Sequence, residues 1–241
     1  MRTDRGVRRI VALALALGLG ACGDAAHREY LTALDGEEKG MTREQQIAHL
    51  DRAIALRPRR GEYWETRATY RTDLRQFDAA LADLDHAMSL RSRPYLHYFR
   101  GLVLCQRGEY RKSLADFDAA IAGQPENTQF YRGRSLARSA VHDGRAALAD
   151  ADQHIAKAPN RAEGYYARAM ALIELGRDRE AIPELDRALQ MRPELVFPLA
   201  ARLGCHERLG EAAAAAADRA ALARATEQQS GCAMCLDPFR Y

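Results

Sequence analysis

The sequence predicts an all-α protein built from repeated pairs of helices. Three prolines stand 34 residues apart, at Pro125, Pro159 and Pro193, and the same residue types recur at fixed offsets before each of them. Apolar residues return at three- and four-residue spacing, as they do on amphipathic helices. A fixed period of this length is typical of stacked repeats, in which each unit packs mainly against its neighbours.

The elements before the repeats are short. Residues 22–41 are polar and are interpreted as a tether with one short helix around Arg28 to Leu34. Thr42 is followed three residues later by Gln45, a spacing that predicts a capping box at the start of a helix. That helix runs to about Leu56, because Pro58 cannot continue it.

Five repeat units follow, and each is expected to contain two helices. In the second unit the helices are predicted from Tyr95 to Arg107 and from Tyr110 to Ala122, and proline ends the unit. The second helix of the last unit, from Glu211 to Glu227, is expected to cover the final apolar face. The whole chain is expected to form about eleven helices and no sheet. The units begin at Gly61, Pro94, Thr128, Ala162 and Val196.

The pattern of large and small residues in these units resembles the tetratricopeptide repeat. The resemblance covers residues 42–228 and implies a solenoid of antiparallel helix pairs that winds into a right-handed superhelix and binds a protein or peptide in its groove. The unit beginning at Ala162 carries the family pattern most fully, with Tyr165, Ala169, Leu172, Ala181, Leu185, Ala188 and Pro193 at the family positions.

A charge pattern accompanies the repeat. Position 7 is Arg and position 23 is acidic in five units. The two positions lie on different helices of one unit, where a guanidinium fits a carboxylate with two hydrogen bonds. These pairs are interpreted as structural, with ligand binding as the alternative. They are Arg67 with Asp83, Arg100 with Asp116, Arg134 with Asp150, Arg168 with Glu184, and Arg202 with Asp218.

The resemblance also implies which side chains face the groove. In the family, positions 2, 5, 9 and 12 of the first helix line the concave face. Aromatic residues and Arg at these positions are the types that most often carry binding energy. We therefore expect Tyr98, Arg132 and Tyr166 to form one exposed stripe, with packing of some of these side chains between repeats as the alternative. The predicted protein-binding residues are Tyr95, Tyr98, Leu102, Arg132, Leu136, Tyr166 and Met170.

The N-terminus predicts export and a lipid anchor. Four Arg precede an apolar run from Ile10 to Leu19, which is too short for a convincing membrane span. The run ends in Leu19-Gly20-Ala21-Cys22, which resembles the lipobox of bacterial lipoproteins. This resemblance implies that residues 1–21 are removed and that Cys22 carries acyl chains. Gly23 after the cysteine favours the outer membrane over the inner, facing the periplasm.

Charge excludes a nucleic-acid partner. Removal of residues 1–21 takes away four Arg and one Asp, which leaves 32 basic and 32 acidic side chains. The basic isoelectric point therefore belongs to the export segment and not to a binding face.

The remaining cysteines keep an alternative function open. Cys232 and Cys235 form a Cys-x-x-Cys pair in the tail, residues 229–241, and an oxidising envelope permits a disulfide between them or with Cys205. A redox or metal-handling accessory protein is the alternative to a scaffold. No zinc set, phosphate loop or nucleophile motif occurs in the sequence, so we expect neither an enzyme nor a cofactor.

Overall fold

The computed structural model describes residues 25–229, and these residues form helices joined by short turns, with no strand among them. The predicted all-α fold class is confirmed, with twelve helices in the described part where about eleven were expected. They are α1 (Ala25–Leu34), α2 (Arg43–Leu56), α3 (Gly61–Asp73), α4 (Phe77–Leu90), α5 (Pro94–Gln106), α6 (Tyr110–Gly123), α7 (Thr128–Ala140), α8 (Gly144–Lys157), α9 (Ala162–Glu174), α10 (Asp178–Met191), α11 (Val196–Arg208) and α12 (Ala212–Gln229).

The helices pack in consecutive pairs, and each pair packs on the next. Neighbouring first helices also touch, most extensively α7 and α9. One face of the stack is therefore made of the first helices α3, α5, α7, α9 and α11. This first-helix face corresponds to the predicted groove.

The first helix pair includes part of the predicted tether. Helix α1 packs on α2, and Ala26 and Ala33 on α1 are fully buried. The predicted capping box is present at the start of α2: Gln45 N–H donates to Thr42 Oγ1 at 3.4 Å, and Thr42 N–H donates to Gln45 Oε1 at 2.9 Å. From Ala25 onward the segment is thus a packed part of the solenoid rather than a free tether.

The turn inside each repeat requires a left-handed residue at position 15. Three units have Gly there, with φ between 70° and 86°, whereas Arg75 and His142 hold φ at 57° and 65°. The residue at position 16 closes the turn with a backbone hydrogen bond. In the second unit, for example, Glu109 N–H donates to Leu104 C=O at 2.8 Å. The family pattern thus constrains backbone geometry as well as packing.

Large buried rings set the spacing between repeats. Phe117 and Phe130 are fully buried in the central units. A Cβ atom at Gly101 or Gly133 would lie 2.9 or 2.8 Å from Phe117 Cε1, which is closer than a side chain tolerates. Glycine at these two positions therefore allows the helices to close around the Phe117 ring.

Candidate groove on the first-helix face

A pocket of about 330 Å³ opens between three consecutive first helices, α3, α5 and α7. Tyr95 stands at its rim with 57% of its surface exposed. The lining mixes aromatic and aliphatic side chains with hydroxyl and amide groups. The residues are Thr69, Thr72, Tyr95, Tyr98, Phe99, Leu102, Val103, Gln106, Gln129 and Arg132.

Two of the three residues predicted to form an exposed stripe are buried, so that expectation was wrong. Tyr98 is 8% and Arg132 is 3% exposed. The Tyr98 ring packs on Phe130, with centroids 4.9 Å apart, because α5 and α7 approach closely. Arg132 Nη2 donates to Tyr98 Oη at 3.2 Å, and Arg132 Nε donates to Gln129 Oε1 at 2.9 Å. Both side chains line the floor of the pocket and do not project from it.

The remaining predicted groove residues lie at different depths. Leu136 is 6% exposed, contrary to the expected surface position, because it belongs to the central core cluster, which takes residues from each of the helices α5 to α9. Leu102, Tyr166 and Met170 are half-buried and pack against that same cluster. The open part of the predicted groove is thus its first half, around Tyr95 and Leu102.

All five predicted pairs of Arg and acid lie within ion-pair distance. Arg Nη2 is 2.6 to 2.8 Å from the nearest carboxylate oxygen of its own unit. The four Asp of these pairs are nearly buried, as is shown by the 2% side-chain exposure of Asp83. The pKa of Arg100 is raised, mainly by its hydrogen bond to Asp116. These groups bind each other, which agrees with a structural role.

Each of these Arg also contacts a second acid in the preceding helix pair, which the sequence analysis missed. For Arg67 this acid is Asp51 on α2, and for the other four Arg it stands at position 25 of the preceding unit. Its distance from Arg Nη1 is 2.5 to 3.5 Å. The signal was present at positions 23 and 25 of four units, where an acidic residue and an Asp stand two residues apart, but its meaning depends on how units stack. We call the whole set the Arg–Asp ladder. The second acids are Asp51, Asp85, Asp118, Asp152 and Asp186.

The cysteines with a described environment are buried. Cys105 and Cys205 are reduced cysteines with 2% and 0% exposure. Burial, and next to it the negative charge of Asp178, raises the pKa of the Cys205 thiol to about 11. The thiolate of Cys205 is therefore disfavoured at neutral pH. Cys22, Cys232 and Cys235 lie outside the described residues, and the lipid anchor and the tail disulfide stay predictions.

Residues 25–229 present neither a metal-binding cluster nor a membrane-spanning helix. No group of three or more His, Cys, Asp or Glu in this part is arranged to hold a metal ion. Nor does this part contain a helix with the length and apolar character needed to cross a bilayer.

Comparisons with known proteins agree with the geometry. The family model described as a tetratricopeptide repeat matches residues 162–195. No curated protein matches the sequence significantly. Among solved structures, PilW, described as a widely conserved type IV pilus biogenesis factor, aligns with a TM-score of 0.72 at 18% identity and covers 89% of this chain and 97% of its own.

Two other structures support the same fold. A tetratricopeptide repeat protein from Parabacteroides merdae aligns with a TM-score of 0.71 at 18% identity over 81% of this chain and 78% of its own. YrrB, described as a tetratricopeptide-repeat protein with an unusual peptide-binding site, aligns with a TM-score of 0.57 at 16% identity over 72% of this chain and 90% of its own. With its repeat period, its stacked helix pairs and the family match at residues 162–195, the chain has the fold of a tetratricopeptide-repeat solenoid.

Proposed function

We propose that the chain is a lipid-anchored scaffold of a bacterial cell envelope that holds a protein partner in the pocket between α3, α5 and α7. The observation that carries this proposal is the pocket itself, with Tyr95 exposed at its rim over a floor fixed by Tyr98 and Arg132. An exposed aromatic ring beside a preformed cavity is the kind of anchor on which interface affinity concentrates.

The lining indicates an extended peptide segment as the bound part of the partner. Tyr95, Phe99 and Leu102 offer apolar contact for one side chain. The Gln129 NH₂ group can donate to a peptide C=O, and Thr69 Oγ1, which donates its own hydrogen to the Glu65 carbonyl, can accept from a peptide N–H. YrrB, which has a related fold, is described as binding a peptide. The fold alone does not assign a partner, so the chemistry of this pocket is the basis of the proposal.

The envelope role combines the lipobox with the comparison to PilW. Acyl chains on Cys22 would hold the solenoid at a membrane, and the outer membrane facing the periplasm is favoured by Gly23. PilW is described as a pilus biogenesis factor. A pilus or secretion component, or a cell-wall enzyme that the scaffold positions, is therefore the proposed class of partner.

The pocket is tested with Tyr95→Ala. Because Tyr95 is 57% exposed, we expect the free energy of unfolding to change by no more than about 0.5 kcal/mol. Partner capture from detergent-solubilised membranes should fall at least tenfold, which corresponds to about 1.4 kcal/mol of binding free energy. Urea unfolding and quantitative mass spectrometry of the captured proteins measure the two effects.

Leu56→Ala is the matched control, since Leu56 is 55% exposed at the end of α2, away from the pocket. This variant should capture partners as the wild type does. Equal capture by Tyr95→Ala and Leu56→Ala would show that the partner site lies elsewhere. A second variant, Tyr98→Phe, keeps the packed ring and removes only the hydroxyl that accepts from Arg132.

A further inference from the structure

We propose that one edge of the solenoid lies against a membrane surface of anionic phospholipid. This entry edge consists of the start of α1, the turn at residues 57–60 and the turn at residues 91–93. The turns at this edge lead from the second helix of one pair to the first helix of the next. Helix α1 begins at the same edge, because it is the first helix of its pair.

Side-chain contacts bring these three segments together. A pocket of about 320 Å³ is lined by His27 from the start of α1 together with Arg57 and Arg60 from the first turn. Arg93 in the second turn makes an ion pair with Glu65, which lies in the first half of α3, after the first turn. The start of α1 and both turns therefore form one continuous surface.

The entry edge is strongly cationic. Six Arg side chains are exposed on it, with two Glu nearby: Glu62, 4.0 Å from Arg60, and Glu65, paired with Arg93. The corresponding turns farther along the chain contain Glu126, Arg161, Arg192 and Glu194, whose charges cancel. The positive charge is thus concentrated near the N-terminus. The six residues are Arg28, Arg57, Arg59, Arg60, Arg91 and Arg93.

The position of the proposed anchor favours lipid as the partner of this edge. Cys22 precedes Ala25 by three residues, so the two Cα atoms are separated by at most about 11 Å. Acyl chains on Cys22, which belong to the proposed function, would hold the entry edge at the headgroup layer. A basic cluster beside an acyl anchor adds electrostatic attraction to anionic lipids. Phosphate headgroups are therefore the chemistry that this edge fits.

The test uses the mature chain from residue 22 with Cys22→Ser, which lacks acyl chains and contains every described residue. Its partitioning onto phosphatidylcholine vesicles is compared with that onto vesicles that also contain phosphatidylglycerol. We expect binding only to the second kind, and loss of binding at high salt, since salt screens charges. The triple variant Arg59→Gln, Arg60→Gln and Arg91→Gln should lower the partition coefficient on the order of 100-fold.

A matched triple variant at the opposite edge controls for total charge. Arg111, Arg145 and Arg179 are exposed and share one repeat position, the second residue of the second helix, next to the turn inside each unit. Their replacement by Gln should change partitioning by less than about threefold, because they lie on the edge that faces away from the vesicle. Equal binding of the unchanged chain to both vesicles, or equal losses in the two triple variants, would overturn the proposal. Neither result depends on the pocket, which Tyr95→Ala tests separately.

Discussion

At the scale of single residues, His154 is the least ordinary polar group in the solenoid. It is fully buried where α8 meets the start of α9. Its Nδ1 is 2.8 Å from the Thr128 carbonyl oxygen, so Nδ1–H donates there and Nε2 keeps a lone pair. Among the described residues Nε2 has no hydrogen-bond partner. The site thus accommodates the neutral imidazole, and the described residues place no hydrogen-bond acceptor at Nε2 that would receive a proton bound there.

This arrangement predicts that stability depends on pH through His154. Burial is the main cause that lowers its pKa, with Arg132 and Arg161 acting in the same direction and the Thr128 carbonyl and Glu163 opposing. The unfolded chain, with a His pKa of about 6.5, therefore binds the proton first, and stability falls as the pH drops below that value. From pH 7 to pH 5.5 the free energy of unfolding should fall by about 1 kcal/mol. A proton that only the unfolded chain binds lowers this free energy by at most about 1.4 kcal/mol per pH unit.

The variant His154→Gln supplies the comparison. Its amide can still donate to the Thr128 carbonyl but does not titrate. Urea unfolding of both proteins at several pH values should give a steeper decline for the wild type. Parallel declines would show that His154 does not couple folding to pH.

At the scale of helices, the Arg–Asp ladder joins elements both within and between units. In the third unit, Arg134 Nη2 is 2.7 Å from Asp150, and Arg134 Nη1 is 2.6 Å from Asp118 in the unit before it. Asp150 also accepts from Arg138 at 2.7 Å. The two acids differ in surroundings, since the Asp150 side chain is 5% exposed and that of Asp118 is 57% exposed.

The two acids of Arg134 should therefore contribute unequally to stability. Asp150→Asn leaves Arg134 and Arg138 without their shared buried carboxylate, which should cost about 3 kcal/mol or more, as is usual when one partner of a buried pair is lost. Asp118→Asn removes only a solvent-screened contact and should cost less than about 1 kcal/mol. Chemical unfolding monitored by helical circular dichroism compares the two. Similar losses of stability in the two variants would mean that burial of the acid does not determine how much each ion pair of the ladder contributes.

The ladder shows where sequence-based prediction succeeded at the element scale and where it stopped. The pairing of position 7 with position 23 was predictable because both lie within one helix pair. The contact with position 25 of the preceding unit was missed because it depends on the rotation between units. Likewise, Tyr98 was expected on the surface because its helical position points to the groove, whereas Phe130 of the next unit covers its ring. The large residue Phe130 at position 3 of the following unit was the sequence feature from which the burial of Tyr98 could have been predicted.

At the scale of the whole molecule, the proposed acyl anchor and the proposed partner pocket have different tasks. If Cys22 carries acyl chains, as proposed, Cys22→Ser should abolish acyl labelling and release the protein from membranes or stall its export, since such chains would supply most of the membrane affinity, about 0.8 kcal/mol per buried CH₂. Metabolic labelling with a palmitate analogue, followed by fractionation, measures both effects. If the wild type carries no acyl label and partitions like the variant, the proposed anchor is wrong. That result would not bear on the proposed binding of a partner in the pocket.

The Arg–Asp ladder also has a mechanical consequence for the groove. Position 7 is two residues from positions 5 and 9, about 200° around the helix, so the ladder runs behind the first-helix face. Ion pairs bridge every two neighbouring units along that line, and although each is solvent-screened, together they favour one distance between units. Bending that keeps these pairs intact leaves the length along the ladder nearly constant, as along the neutral axis of a beam. The first-helix face spreads or closes as the chain bends, and a bound peptide would sense curvature rather than extension.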